Sequence, residues 1–119
     1  MLPQRGDIFY ADINFTGIAI HNPIRPVLIL DNQMGSRYKP TVICAAIVEM
    51  GEVKLPVHIA LENEKYSLIS GLVIRADFIQ TIDKKRLREK LYKLDDDFLV
   101  KVNEALEISL GIRAAQPNT

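Results

Sequence analysis

Two stretches, "RPVLILD" from Arg25 and "TVICAAIVEM" from Thr41, are continuous apolar runs rich in β-branched residues. A strand with one wet face alternates apolar and polar side chains, whereas one that is apolar at every position must be covered on both sides. These runs therefore predict central strands with a core above and below them. The remaining chain must supply both covers and both neighbours. At 119 residues there is room for one such domain and not for two.

Three further segments read as strands. "GDIFYADINF" alternates, placing Phe9, Ala11, Ile13 and Phe15 on one face. "KLPVHIAL" places Leu55, Val57, Ile59 and Leu61 inward and His58 outward. Pro56 cannot donate to a ladder, so this strand is expected at a sheet edge or to begin late. "GLVIRADFIQTID" puts Leu72, Ile74, Ala76 and Phe78 on one face and Val73, Arg75, Asp77 and Ile79 on the other. An arginine and a carboxylate thus stand side by side in an apolar setting. An exposed ion pair contributes only about 0–1 kcal/mol, so stability explains this one poorly.

After Thr81 the period lengthens. Asp83 is expected to cap a short helix through "KKRLREKLYKL", and Asp95 or Asp96 a longer one. In the second, Phe98, Leu99, Val102, Leu106 and Leu110 recur at helical spacing and Gly111 is a stop. "TGIAIHNPI" and "NQMGSRYKP" read as long loops, the second turning at Gly35. The predicted class is mainly β (α+β), a strongly twisted antiparallel sheet or small barrel with helices at its ends. One domain over residues 1–113 is expected, with 114–119 as a flexible tail.

Composition narrows the function. Fifteen basic and fifteen acidic residues cancel, which argues against a broadly basic nucleic-acid coat but leaves room for a local basic cleft. A single cysteine, Cys44, rules out an internal disulfide and reads as a small buried hydrophobe. No Cys/His cluster has metal-ligand spacing, and neither a phosphate-binding glycine loop nor a serine-nucleophile signature is present. No apolar run approaches the roughly 20 residues of a membrane span, and no signal peptide opens the chain, so the cytoplasm is the expected address and no membrane partner is expected.

"RGDIFYADI", "RPVLIL", "GSRYKPTVICAAI", "KLPVHI", "QTIDKKRL" and "KVNEALEISLGI" together resemble the MazF/PemK/Kid family of toxin endoribonucleases, in register from Arg5 to about Ile112. The resemblance implies an SH3-like barrel that forms a homodimer, with single-stranded RNA lying across the dimer face. It implies sequence-specific cleavage without a metal or other cofactor, leaving a 2′,3′-cyclic phosphate and a 5′-hydroxyl. A cognate, MazE-like antitoxin is implied as inhibitor, with operator DNA reached only through the antitoxin complex. By the same resemblance Arg25 is the "RPV" arginine, and Arg75 and Asp77 are the "R-x-D" of the fifth strand. In these roles Asp77 serves as base for the ribose hydroxyl, while Arg25 and Arg75 hold the phosphate through bidentate hydrogen bonds. An arginine is a poor literal proton donor, so its part is charge stabilisation first. His21, Val48, His58 and Gln80 fall where RNA contacts are expected.

The chain also departs from the family. The loop before "RPV" is "GIAIHNPI", without the usual Glu-Gln pair, and His21 lies out of register with the family histidine. Val48 stands where the family has threonine or serine, and Gln80 where it has the arginine of "RTID". Two other readings therefore stay open: a toxin fold that binds antitoxin, RNA or an operator complex without cutting, and the gyrase-poisoning activity of the related CcdB branch. The "RPV" and "R-x-D" residues favour the nuclease.

Overall fold

The two continuous apolar runs become β2 (Ile24–Ile29) and β3 (Thr41–Glu49), the middle of a six-stranded antiparallel sheet. The computed structural model describes residues 2–13, 23–49, 51, 55–62 and 64–114. The other strands are β1 (Asp7–Asp12), β4 (His58–Ala60), β5 (Leu72–Asp83) and β6 (Leu87–Lys93), in spatial order β4-β5-β3-β2-β1-β6. The order ends at β4 and β6, so among the described residues the barrel-like sheet is open. Pro56 precedes β4, which is both short and at the edge, as a residue without an N–H requires.

Both faces of the sheet are covered. On one, Ile8, Leu28, Ala45, Ile47, Ile59 and Ile74 pack against α2 (Asp96–Ser109) through Val102 and Ala105. Tyr66 completes that core from a 3₁₀ segment, Glu64–Ile69. It lies edge-on to Tyr92 and Phe98 at 5.4 and 5.5 Å, and its hydroxyl accepts the Asp95 amide at 3.0 Å. A buried side chain of this kind contributes about 2–3 kcal/mol, here without an orphaned hydroxyl. The opposite face carries Phe9, Ala11, Val27, Cys44, Ala46, Val48 and Val73.

Three expectations are corrected. "KKRLREKLYKL" is a 3₁₀ turn, Lys84–Arg86, followed by β6, although Asp83 does cap it by accepting the Lys85 amide. The free edge of β1 needs a ladder partner, and the buried carboxylate of Asp7 draws Lys90 and Lys93 of β6 to 3.2 and 3.7 Å. Lysines also suit an edge strand. The "NQMGSRYKP" loop contains α1 (Gln33–Tyr38), with Gly35 inside it, and buried Asp31 secures this connection through the Ile43 amide and Lys39. Leu55 and Leu110, expected inward, are exposed; α2 ends one residue before Leu110, and Gly111 takes the left-handed conformation at φ +74°.

Candidate functional site

The ladder pairs His58 with Arg75, Arg75 with Ala46, Ala46 with Val27, and Val27 with Phe9. Side chains in such a row share a face, here the one opposite α2. Arg25 lies two residues before Val27 and so projects the same way, as does Gln80, which pairs with Cys44. Continuing the β2–β3 register by two residues sets Arg25 beside Val48. The sheet thus collects Arg25, Val48, His58, Arg75, Asp77 and Gln80 on one face. His21 lies outside the described residues.

A bulge sets the chemistry at the centre. Between Ala45 and Ala46 on β3, β5 advances from Ile79 to Arg75, leaving Ala76, Asp77 and Phe78 without a β3 partner. The Ala76 amide turns instead to the Val57 carbonyl at 2.9 Å. Simple alternation is lost here: Phe78, expected on the Ile74 face, packs on the other one. Its ring centroid lies 4.1 Å from the Arg75 guanidinium carbon, so the ring covers one side of the guanidinium. Arg75 donates to Asp77 from Nε to Oδ1 at 3.0 Å and from Nη2 to Oδ2 at 2.5 Å. His58 brings Nε2 to 3.6 Å from the same Oδ1, and its Nδ1 accepts the Leu55 amide at 3.4 Å.

Electrostatics follow from this packing. Burial pushes the Asp77 carboxyl up, but the Arg75 hydrogen bonds and charge, a backbone hydrogen bond and His58 together hold it below the usual carboxylate range. Burial, then the Arg75 charge, push His58 below its ordinary value, with only partial compensation from Asp77. At neutral pH the site therefore holds a carboxylate, two guanidinium ions and a neutral imidazole. One guanidinium group is poorly satisfied: among the described residues, Nη1 of Arg25 is buried and has no acceptor. A buried donor of that kind costs about 1–3 kcal/mol, and an anion laid on this face would satisfy it.

Gln80 stands apart from this centre. With Asp12, Thr81, Asp83 and Arg86 it lines a polar cleft of about 330 Å³ at the far end of β5. Val48 is only 7% exposed, so a hydroxyl there would carry a desolvation cost. Neither the place of Phe78 nor the proximity of His58 to Asp77 has a signal in periodicity, because one depends on the bulge and the other on the β4–β5 register.

An open antiparallel sheet backed by a C-terminal helix has counterparts among solved structures. The fold is similar to an endoribonuclease in complex with its cognate antitoxin from Mycobacterial species (TM-score 0.75, 24% identity, 97% of this chain and 99% of that one). It is also similar to MazE–MazF from Deinococcus radiodurans (TM-score 0.72, 24% identity, 93% and 97% covered). In sequence the chain is 42% identical to endoribonuclease MazF of Staphylococcus epidermidis over 110 residues, 92% of each protein. Residues 4–110 match the family model for PemK-like, MazF-like toxins of type II toxin–antitoxin systems, and the chain belongs to that family.

Proposed function

We propose that this chain is a toxin endoribonuclease that cuts single-stranded RNA, with Arg25, Arg75 and Asp77 as its catalytic residues. The observation that carries this is the buried Arg25 Nη1, without an acceptor among the described residues, on the same face as the Arg75–Asp77 pair. Two guanidinium groups beside a carboxylate suit attack of a ribose 2′-oxygen on the neighbouring phosphorus. Asp77 takes the 2′-hydroxyl proton as the new P–O2′ bond forms. The P–O5′ bond breaks, and the 5′-oxygen leaves with its electron pair and takes a proton from solvent. Arg25 and Arg75 stabilise the charge that develops on the phosphoryl oxygens. The products are a 2′,3′-cyclic phosphate and a 5′-hydroxyl, and no water is consumed.

The nucleophile belongs to the substrate, so this route requires no metal-activated water. Among the described residues no group of three or more His, Cys, Asp or Glu is placed to hold a metal ion. Incubating the purified protein with a long single-stranded transcript in EDTA and mapping the new 5′ ends tests the assignment. Cuts at one recurring sequence, with 5′-hydroxyl ends, are expected. Complete inhibition by EDTA that magnesium reverses would overturn the mechanism. An intact transcript would favour the binding-only reading, which the absent hydroxyl at Val48 supports. DNA breaks on expression in a bacterium would indicate gyrase poisoning.

The proposed assembly is a homodimer that presents its RNA face across two copies and is inhibited by a cognate antitoxin. The known complexes of MazF with MazE and of the mycobacterial endoribonuclease with its antitoxin support the second part. Sedimentation at micromolar concentration is expected to give twice the chain mass, and a monomer would count against the shared groove. No described helix is long and apolar enough to cross a membrane, which is consistent with the proposed cytoplasmic site of action.

Val48→Thr is expected to raise cleavage of a matched RNA at least several-fold. With the β2–β3 register continued to Arg25, the proposed role of the added hydroxyl is to accept the Arg25 Nη1–H, which has no acceptor among the described residues, and to donate to the phosphate when RNA binds. Desolvating the hydroxyl is offset by the new acceptor for Arg25, so stability should change by no more than about 1 kcal/mol. A well-folded variant with unchanged turnover would show that the site works through other contacts.

A further inference from the structure

We propose that His58 is a positioning residue for Asp77, receiving its carboxylate from Arg75 when an RNA phosphate engages that arginine. The inference rests on the nuclease reading and adds a step to it. In the free protein both Asp77 oxygens are held by Arg75, in the bidentate geometry with which guanidinium also binds phosphate. A carboxylate held that way is a weak base, and the closed pair leaves Arg75 only its Nη1–Nη2 edge for a phosphate. Opening it frees the carboxylate and the Nε–Nη2 edge together.

His58 offers the alternative partner. Its side chain is only 8% exposed, which leaves little of it for direct contact with RNA. Nδ1 accepts the Leu55 amide, so in the neutral ring the proton is on Nε2. That Nε2 is buried and has no hydrogen-bond partner among the described residues, yet it lies 3.6 Å from Asp77 Oδ1. The gap is slightly too long for a hydrogen bond and closes with a small rotation of the carboxylate. Once Oδ1 is on His58, Oδ2 is free to take the 2′-hydroxyl proton, and Arg75 is free for the phosphate. The His58 donor then replaces Arg75 in keeping Asp77 ionised. Other charges along this edge are Glu62 after β4 and Lys101 and Glu104 of α2, which line a cleft together with His58 and the rest of β4.

The test compares His58→Phe and His58→Gln on the RNA cut by the wild type. Glutamine places an amide N–H near the position of the imidazole Nε2–H, and phenylalanine places none. For His58→Phe we expect kcat to fall by at least 10-fold with KM changed less than 3-fold. The acid limb of its kcat–pH profile should move up by about one unit, because Asp77 freed from Arg75 has lost the donor that favours its ionised form. His58→Gln should recover most of the rate and restore the limb. A loss confined to KM would make His58 an RNA contact and overturn the handoff, as would unchanged kinetics in His58→Phe. A wild type that cuts no RNA overturns the nuclease reading, and the handoff with it.

A second measurement needs only folded wild-type protein. In ¹⁵N-histidine-labelled enzyme, a single-stranded oligonucleotide spanning the mapped cut, with 2′-deoxyribose at that position, binds without reacting. The His58 Nε2–H proton is expected to shift downfield on binding, and not to do so in Asp77→Asn. An Nε2–H signal unmoved by the oligonucleotide would overturn the proposal even if both His58 variants failed to fold.

Discussion

Arg75→Ala and Asp77→Ala are each expected to lower RNA cleavage by at least about 10²-fold, while shifting the melting temperature by no more than about 5 °C. The first figure follows from removing a charge aligned with the phosphate or the base for the attacking hydroxyl. The second follows from exposure: the two side chains are 24% and 28% exposed, and pairs of this kind add little to stability. Neither truncation opens the apolar core, because Arg75 is paired with Ala46 and His58 through the backbone and the Ala76 amide is held by the Val57 carbonyl. Asp77→Asn is the stricter control, since it keeps the shape and removes the base. Melting curves beside single-turnover cleavage on one RNA give both quantities. Strong destabilisation of either alanine variant would make the pair structural and remove it from the catalytic assignment.

The acid side of the stability profile has a definite sign. His58 and Asp77 are both held below their ordinary values of 6.5 and 3.8, so between folded and ordinary values the unfolded chain binds more protons. Their contributions are complete above the ordinary values and are lost as pH falls, His58 below about 6.5 and Asp77 below about 3.8.

The strands that carry the site were legible because their patterns are strong. Doubly apolar "RPVLIL" and "TVICAAIV" cannot be edge strands, and Pro56 does not suit a central one. Helix α2 was legible for the same reason, its stripe at Phe98, Val102 and Leu106 needing a core to face. What could not be read depended on distant partners. "LREKLYK" fits either period, and the free edge of β1 together with buried Asp7 decided for a strand. The Arg75–Asp77 adjacency followed from two-residue spacing. Its company of Phe78 and His58 did not, because three unpaired residues on β5 reset the phase there. The burial of Val48 depends likewise on what packs over that face and not on its own neighbours in sequence.

Arg25→Leu should abolish cleavage and leave the protein as stable as the wild type or more so. In the free protein the Arg25 guanidinium keeps one buried N–H without an acceptor among the described residues, while Val27 and Ile29 further along the same face of β2 are buried and apolar. Replacing an unsatisfied donor by a hydrocarbon of similar length removes a desolvation cost of about 1–3 kcal/mol, against which the arginine has only its partial solvation to set. The melting temperature should therefore hold or rise, and it is the RNA that loses a partner. With no cation at that position the developing dianion loses an oriented donor, a loss worth on the order of 10²–10³ in rate for one such group, and more where charge is removed as well. Arg25→Lys should fall between the two. Its ammonium restores the charge but not the two parallel N–H bonds, so binding should recover further than turnover. Thermal melts, affinity for the 2′-deoxy oligonucleotide and single-turnover rates on the three proteins separate these effects. Wild-type turnover in Arg25→Lys would remove bidentate phosphate contact from the mechanism. A large drop in the melting temperature of Arg25→Leu would show that the guanidinium stabilises the sheet and is not held in reserve for the substrate.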